Sequence, residues 1–154
     1  MKFEFFFIGK TSDACLAEGI ERYRKKLVFY MKTEIKIFPA SSEKNKSKAL
    51  KEEAASILRS LLPADLVVVL DENGKQHTSV ELAGVLQKAM NQSFAKIVFV
   101  VGSAYGIDES LKKRANLLLS FSKFTFTHQM IRLLLAEQIY RSMTILKGES
   151  YHHE

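Results

Sequence analysis

A single cysteine, Cys15, stands among 154 residues, which excludes an internal disulfide and any cysteine-rich zinc site. It is expected on the apolar face of a helix rather than in a reactive centre. No apolar run reaches the roughly 18 residues that a membrane span needs. The opening MKFEFFFIGK is broken by Glu4 and too short for the apolar region of a signal peptide, so it reads as a strand. Interdomain linkers and internal repeats are missing as well. These absences leave one soluble domain of cytosolic (cytoplasmic) type with no membrane partner. Its size allows about two-thirds of the unfolded surface to be buried on folding.

Several chemical signatures are lacking too. Gly9-Lys10-Thr11 follows the first apolar run, but a phosphate-binding loop needs a glycine five positions before Gly9, where Glu4 stands. The spacing GSAYG at 102–106 is not the GxGxxG fingerprint of dinucleotide sites. Neither a nucleophile elbow nor a Ser-His-Asp order is visible. His152 and His153 have no clustered partners that would complete a metal site, so no metal is expected. The net charge is +6 and unevenly spread. Residues 21–59 hold eleven Lys/Arg against five Asp/Glu, so the rest of the chain is neutral. That concentration suits attraction to a polyanion, although solvated lysine-rich helices share the same composition.

What is present is an alternation of strand-like and helix-like segments. The continuous apolar run Phe3–Ile8 predicts a strand buried on both faces. Ser12 or Asp13 can cap a helix to about Tyr30, with Leu16, Ile20, Tyr23 and Leu27 along one side. Glu34–Phe38 alternates like a half-buried strand that Pro39 ends. The polar run 41–47 is expected to be a mobile connection into a helix from about Lys48 to Leu62, stopped by Pro63. Leu66–Leu70 has the β-branched composition of a central parallel strand, and residues 71–76 are expected to turn away from it. Thr78 and Glu81 form a capping box for a helix through about Met90. Lys96–Val101 is a second buried strand, Asp108 caps a short helix to about Arg114, and Leu117–Leu119 is the last strand. Thr127 caps a final helix over 128–147, with Gly148 just beyond its end. Met130, Leu134, Ile139 and Met143 make that helix apolar around most of its circumference, so it needs cover on two sides, from the sheet and from a second subunit. The pattern predicts an α/β fold on a mostly parallel sheet with helices on both faces.

Ligands of open α/β sheets bind beyond the carboxyl ends of the strands. Three such ends stand out: Leu70-Asp71, Gly102, and Ser120 onward. The last opens a hydroxyl-rich loop built around Phe121, Phe124 and Phe126. Gly102 and Gly106 permit close backbone approach, and loop amides and carbonyls can read an adenine edge. Taken alone, these two are more often plain turn glycines. His128, at a helix start, suits local hydrogen bonding. Beyond Gly148 lies a tail with Tyr151, His152 and His153, where a terminus normally carries its least demanding residues. The residues by themselves indicate a nucleotide-like ligand and nothing finer.

LDENGKQHTS (70–79), FVVGSAYGI (99–107), LSFSKFTFTHQMIRLLLAEQIYR (119–141) and KGESYHHE (147–154) carry a resemblance in order and spacing. Over nearly its whole length the chain resembles the family of ribosomal RNA large-subunit methyltransferase H, of the SPOUT class. The resemblance implies one SPOUT domain over 1–154, a C-terminal trefoil knot and a homodimer. It also implies S-adenosylmethionine-dependent methylation of nitrogen-3 of a pseudouridine in helix 69 of 23S rRNA, in assembled ribosomes. Carried onto this chain, it places Leu70, Gly102, Phe121, Ser122, Lys123, Phe124, Thr125 and Phe126 around the cofactor. Arg141, Tyr151 and His152 fall where the family engages the target base. On that footing Arg141 stabilises the imide anion and His152 accepts its proton. Two departures stand out: Ser103 where the family commonly has glycine, and Thr127 where it has proline. Thr127 loses a fixed φ but can cap the helix itself. The same scaffold acting on another RNA, such as a transfer RNA, or serving as a silent ribosome-binding factor are the competing readings. The intact loop at 121–126 argues against the second.

Overall fold

The computed structural model describes residues 1–153. In chain order its elements are β1 (Phe3–Ile8), α1 (Ala14–Leu27), β2 (Thr33–Phe38), α2 (Lys46–Leu58), β3 (Asp65–Gln76) and α3 (Ser79–Met90), then β4 (Lys96–Val101), α4 (Glu109–Arg114), β5 (Leu117–Ser120) and α5 (His128–Leu146). The five strands form one parallel sheet in the order β2-β1-β4-β3-β5. Side chains alternate across it. Phe3, Phe5, Phe7, Ile97 and Phe99 meet α1, α3 and α5, while Phe6, Ile8, Val98 and Val100 meet α2 and α4. Helices therefore cover both faces, which is why β1 and β4 are buried along their whole length and are apolar apart from Glu4 and Lys96. Each buried Phe, Ile or Val contributes about 1.5–3 kcal/mol relative to exposure.

Four expected caps form, at Asp13, Thr78, Asp108 and Thr127, and Asn45 supplies one that was not expected; each accepts an amide at the start of its helix, and Thr78 with Glu81 closes a capping box. Thr127 thus does what a proline there cannot. The over-apolar α5 lies between α1 and α3 with the sheet beneath it. Three neighbours in its own chain account for most of its buried circumference, so its composition does not by itself require a second subunit. Arg132 of α5 is fully buried. It donates to the carbonyls of Ile8 and Gly9 and to Thr11 Oγ1, and stacks 4.8 Å from the Phe7 ring. Burial pushes its guanidinium down to about 10. The Gly9-Lys10-Thr11 turn is thus the landing place for this arginine.

Four expectations need correction. Residues 71–74 turn out of the β3–β5 register as expected, but Lys75 and Gln76 return to it. After a register shift at Leu70/Lys75 they resume pairing with β5, Lys75 opposite Leu119 and Gln76 opposite Ser120. Gly74 permits this, because a Cβ there would lie 2.7 Å from the backbone of Leu118 and Leu119. The 41–47 connection is ordered, since Ser41 is held by Glu52 and Glu53. The helix after it begins at Lys46 and ends at Leu58, and α1 stops at Leu27. Cys15 is exposed rather than packed on an apolar face.

At the other end of the strands Glu4, fully buried, meets the ammonium groups of Lys2 and Lys96 at 2.6 Å and of Lys36 at 3.3 Å. Burial alone would push the carboxyl up, but the three lysines outweigh it and hold it at about 2 against an ordinary 4.5. A depressed carboxylate stabilises the fold above its unfolded value and loses that contribution as pH falls through the folded one. Urea midpoints should therefore hold steady above pH 4.5 and fall between 4.5 and about 2, by about 3 kcal/mol for this group. The E4Q variant should be less stable at neutral pH and lose less on acidification. Parallel pH profiles for the two proteins would refute this.

Candidate cofactor cleft and tail cluster

The register break after Leu70 in β3 and the carboxyl ends of β4 and β5 converge on one cleft open to solvent. Leu70, Gly102, Phe121, Ser122, Phe124, Thr125 and Phe126 all line it, as does Ile131 of α5. Lys123 is exposed and does not. Gly102 closes the wall. Its missing Cβ would sit 2.3 Å from the Gly106 carbonyl oxygen, so no side chain fits without opening the loop. The Gly106 amide donates to the Ser103 carbonyl at 3.0 Å, and Gly106 itself adopts φ +98°, a conformation that glycine alone takes without strain. Across the cleft Ser120 Oγ donates to the Ser122 carbonyl at 3.1 Å, and the Phe124 amide donates to Ser122 Oγ at 3.0 Å. The hydroxyls of the loop thus hold its own backbone and leave the aromatic residues to the ligand side. Phe121 packs against the core, while Phe124 stays 80% exposed at the rim. Asp71 pairs with Lys112 at 2.8 Å beside the entrance. Burial would raise that carboxyl, but Lys112 and the Asn73 amide lower it.

The tail forms a second cluster. Glu137 is its hub: Oε1 accepts from Arg141 Nε at 3.0 Å, from Arg141 Nη2, and from the Tyr151 hydroxyl at 3.1 Å. The Arg141 guanidinium lies 4.8 Å from the Tyr151 ring centroid and 3.5 Å from His152 Nδ1. The hydrogen bonds that Arg141 donates to Glu137 raise the arginine above its ordinary value. Desolvation and the Tyr23 hydroxyl raise Tyr151. Helix α1 anchors the group, with Tyr23 3.3 Å from Tyr151, Tyr30 donating to Glu149 at 2.6 Å, and Lys26 among the rings of Tyr23, Tyr140 and Tyr151. Arg141, Tyr151 and His152 are therefore brought together as expected, but none of them lines the cleft. Glu137 was missed in the sequence, although its i,i+4 spacing to Arg141 is a readable pairing signal. His128, at the mouth beside the cleft, is lowered by burial and by Arg132.

A parallel α/β sheet with a glycine-closed cleft at its strand ends, and a separate polar tail on its last helix, defines a small ligand-binding enzyme scaffold. Residues 1–152 match the family described as "Predicted SPOUT methyltransferase". The chain is 44% identical to the protein named ribosomal RNA large subunit methyltransferase H of Parabacteroides distasonis, covering all of both chains. It is 43% identical to the protein of the same name from Cytophaga hutchinsonii, covering 99% of this chain and all of that one. A crystal structure of a probable methyltransferase from Bordetella pertussis superposes with a TM-score of 0.59 at 10% identity, over 92% of this chain and 94% of that one. That likeness concerns the fold alone. The chain belongs to the SPOUT methyltransferase family. Among the described residues no helix is long and apolar enough to cross a membrane.

Proposed function

We propose that this chain is a cytoplasmic S-adenosylmethionine-dependent methyltransferase of large-subunit ribosomal RNA, acting at nitrogen-3 of a pseudouridine in helix 69 of assembled ribosomes. The observation that carries this reading is full-length identity of 43–44% to proteins named for methylation of that RNA. The cleft fits the cofactor chemically. Its lining is mostly apolar and aromatic, with the carboxylates of Asp71 and Glu72 also on it, and its Gly102 wall packs so closely on the Gly106 carbonyl that only glycine fits. Leu70, Gly102 and the 121–126 loop would hold the adenosyl group. Bound there, the cofactor supplies a methyl group on a sulfonium centre. The protein's share is placement, which can lower such a barrier by roughly 7–11 kcal/mol.

Ile131 lines the cleft, and Arg141 follows ten residues later on the same helix, about 15 Å along its axis. A tail so placed addresses another chain's cleft more readily than its own, which supports a homodimer that joins the two clusters. The trefoil knot belongs to the same reading and is supported by the match of residues 1–152 to the SPOUT family. Glu137 orients Arg141, whose charge stabilises the imide anion of the base. His152 accepts the imide proton through Nε2. That tautomer gives up the Nδ1 contact to Arg141, which at 3.5 Å is at the limit of hydrogen bonding. H152A should lose activity and its pH dependence while keeping cofactor affinity. Full turnover across a pH series would remove the base role.

The basic segment divides in two. Arg24 pairs with Glu21, Lys26 sits among tyrosines, and Lys32 and Lys36 pair with Glu34 and Glu4. Lys44, Lys46, Lys48 and Lys51 are exposed, with no carboxylate in reach among the described residues. They crowd the start of α2, whose first turn holds no acidic residue. Cations there oppose the helix dipole, a local cost that phosphate binding offsets. Replacing the four with glutamine should flatten the log–log salt dependence of ribosome binding by about 3. An unchanged slope would remove α2 from the interface. In a methylation assay, assembled ribosomes should be labelled and transfer RNA should not. Labelling of transfer RNA alone would favour the competing substrate.

A further inference from the structure

Glu53 lies on α2, outside both clusters, and is only 5% exposed. Its Oε1 accepts the Ser41 amide at 3.1 Å and its Oε2 accepts the Ser103 hydroxyl at 2.9 Å. No lysine, arginine or histidine lies within ion-pair reach of it among the described residues. A buried carboxylate supported only by neutral donors is a poor source of stability. Ala54 and Ile57, its neighbours on the buried side of α2, show what packing alone would select. The two bonds serve particular places. Ser103 follows Gly102 in the cleft wall, where the loop is closed by the Ser103–Gly106 bridge. Ser41 begins a relay in which the Glu43 amide donates to Ser41 Oγ, the Asn45 amide to Glu43 Oε1, and the Lys48 amide to Asn45 Oδ1. One carboxylate therefore fixes the cleft wall and the base of the lysine-bearing turn together.

We propose that Glu53 is a positioning residue for the cofactor, acting through Ser103 to hold the Gly102–Gly106 loop in its binding shape and in register with the lysines of α2. It touches neither cofactor nor RNA, and the proposal rests on the assignment of the cleft to S-adenosylmethionine. The loop is held by few bonds, so loss of the Ser103 anchor lets it sample shapes in which the Gly102 wall is displaced. Affinity then falls by the fraction of time the loop spends elsewhere.

Calorimetric titration with S-adenosylmethionine tests this in S103A, E53A and the double variant. S103A removes one partly exposed oxygen and leaves the fold intact. Each single change should weaken binding about tenfold, the worth of one hydrogen bond to a charged group. The double variant should be no weaker than the weaker single, because both break one link. S103T and E53Q, which retain the bond, should bind within about twofold of the unaltered chain. In turnover the loss should appear in the KM for cofactor, with kcat at saturation nearly unchanged. Equal affinity of S103A and the unaltered chain, or additive losses in the double variant, would overturn the proposal alone. Failure of the unaltered chain to bind S-adenosylmethionine would overturn the cofactor assignment and this proposal with it.

Discussion

Deleting Tyr151 through Glu154 should lower methyl transfer by about a thousandfold or more, the scale on which preorganised groups facing developing charge act. S-adenosylmethionine affinity should stay within about twofold, since no tail residue lines the cleft and nothing there is left unpaired. The chain should still fold. What it loses is the Tyr140–Tyr151 edge contact at 4.8 Å, the stacking of Arg141 and Lys26 on Tyr151, the Tyr151 hydroxyl bonds to Glu137 and Tyr23, and the long Arg141–His152 contact. Together these are worth about 1–2 kcal/mol, a fall of a few degrees in melting temperature for a chain of this length. Arg141 would remain on Glu137, so the effect separates the tail from the arginine. An unfolded or aggregated product would make the tail structural. Retained activity would remove it from the chemistry.

The second large effect is expected at Gly102. Alanine there would place a Cβ 2.3 Å from the Gly106 carbonyl oxygen and 2.9 Å from its carbon. These are backbone atoms, which cannot swing aside as a side-chain end can. The loop must open, and a cleft wall that shifts by an ångström forfeits most of its contacts with a ligand. S-adenosylmethionine binding by G102A should weaken by about a hundredfold or more, equivalent to about 2.7 kcal/mol, with only a modest loss of stability. Gly84 supplies the control. It lies in α3, and a Cβ there meets nothing within 4 Å, so G84A should bind normally and be slightly more stable, by about 0.5–1 kcal/mol. If G102A and G84A bound the cofactor equally well, the cleft would not be the cofactor site.

Most of the fold was readable because local and global signals agree along this chain. The apolar runs at Phe3–Ile8 and Lys96–Val101, each with one charged residue near its start, read as interior parallel strands, and the caps at Asp13, Thr78, Asp108 and Thr127 mark helix starts by side-chain chemistry that no tertiary contact overrides. The misreadings fall where distant chain decides. Asp71–Gln76 carries the composition of a turn, yet β5, which joins the sheet more than forty residues later, draws its last two residues back into pairing. The 41–47 run looks mobile because its polar residues have no visible partner, and the partners, Glu52 and Glu53, come from the following helix. The apolar surface of α5 that suggested a second subunit is covered in part by α1 and α3 of its own chain. In the cleft, the ends of Leu70, Gly102 and Ser120 were legible from strand logic alone, but only the family resemblance pointed to the cofactor. Glu137 and Glu53 were passed over for the same reason: a carboxylate in a helix reads as solvated until its partners are placed.

The central claim is methylation of one RNA position by this chain. Mass spectrometry of helix 69 fragments from ribosomes of cells with and without the protein tests it most directly. The account predicts a pseudouridine bearing one added methyl group in the first and the bare pseudouridine in the second, with the methyl restored by the intact chain and not by the tail deletion. Identical fragments from both cells, or a methyl difference found only in transfer RNA, would contradict it.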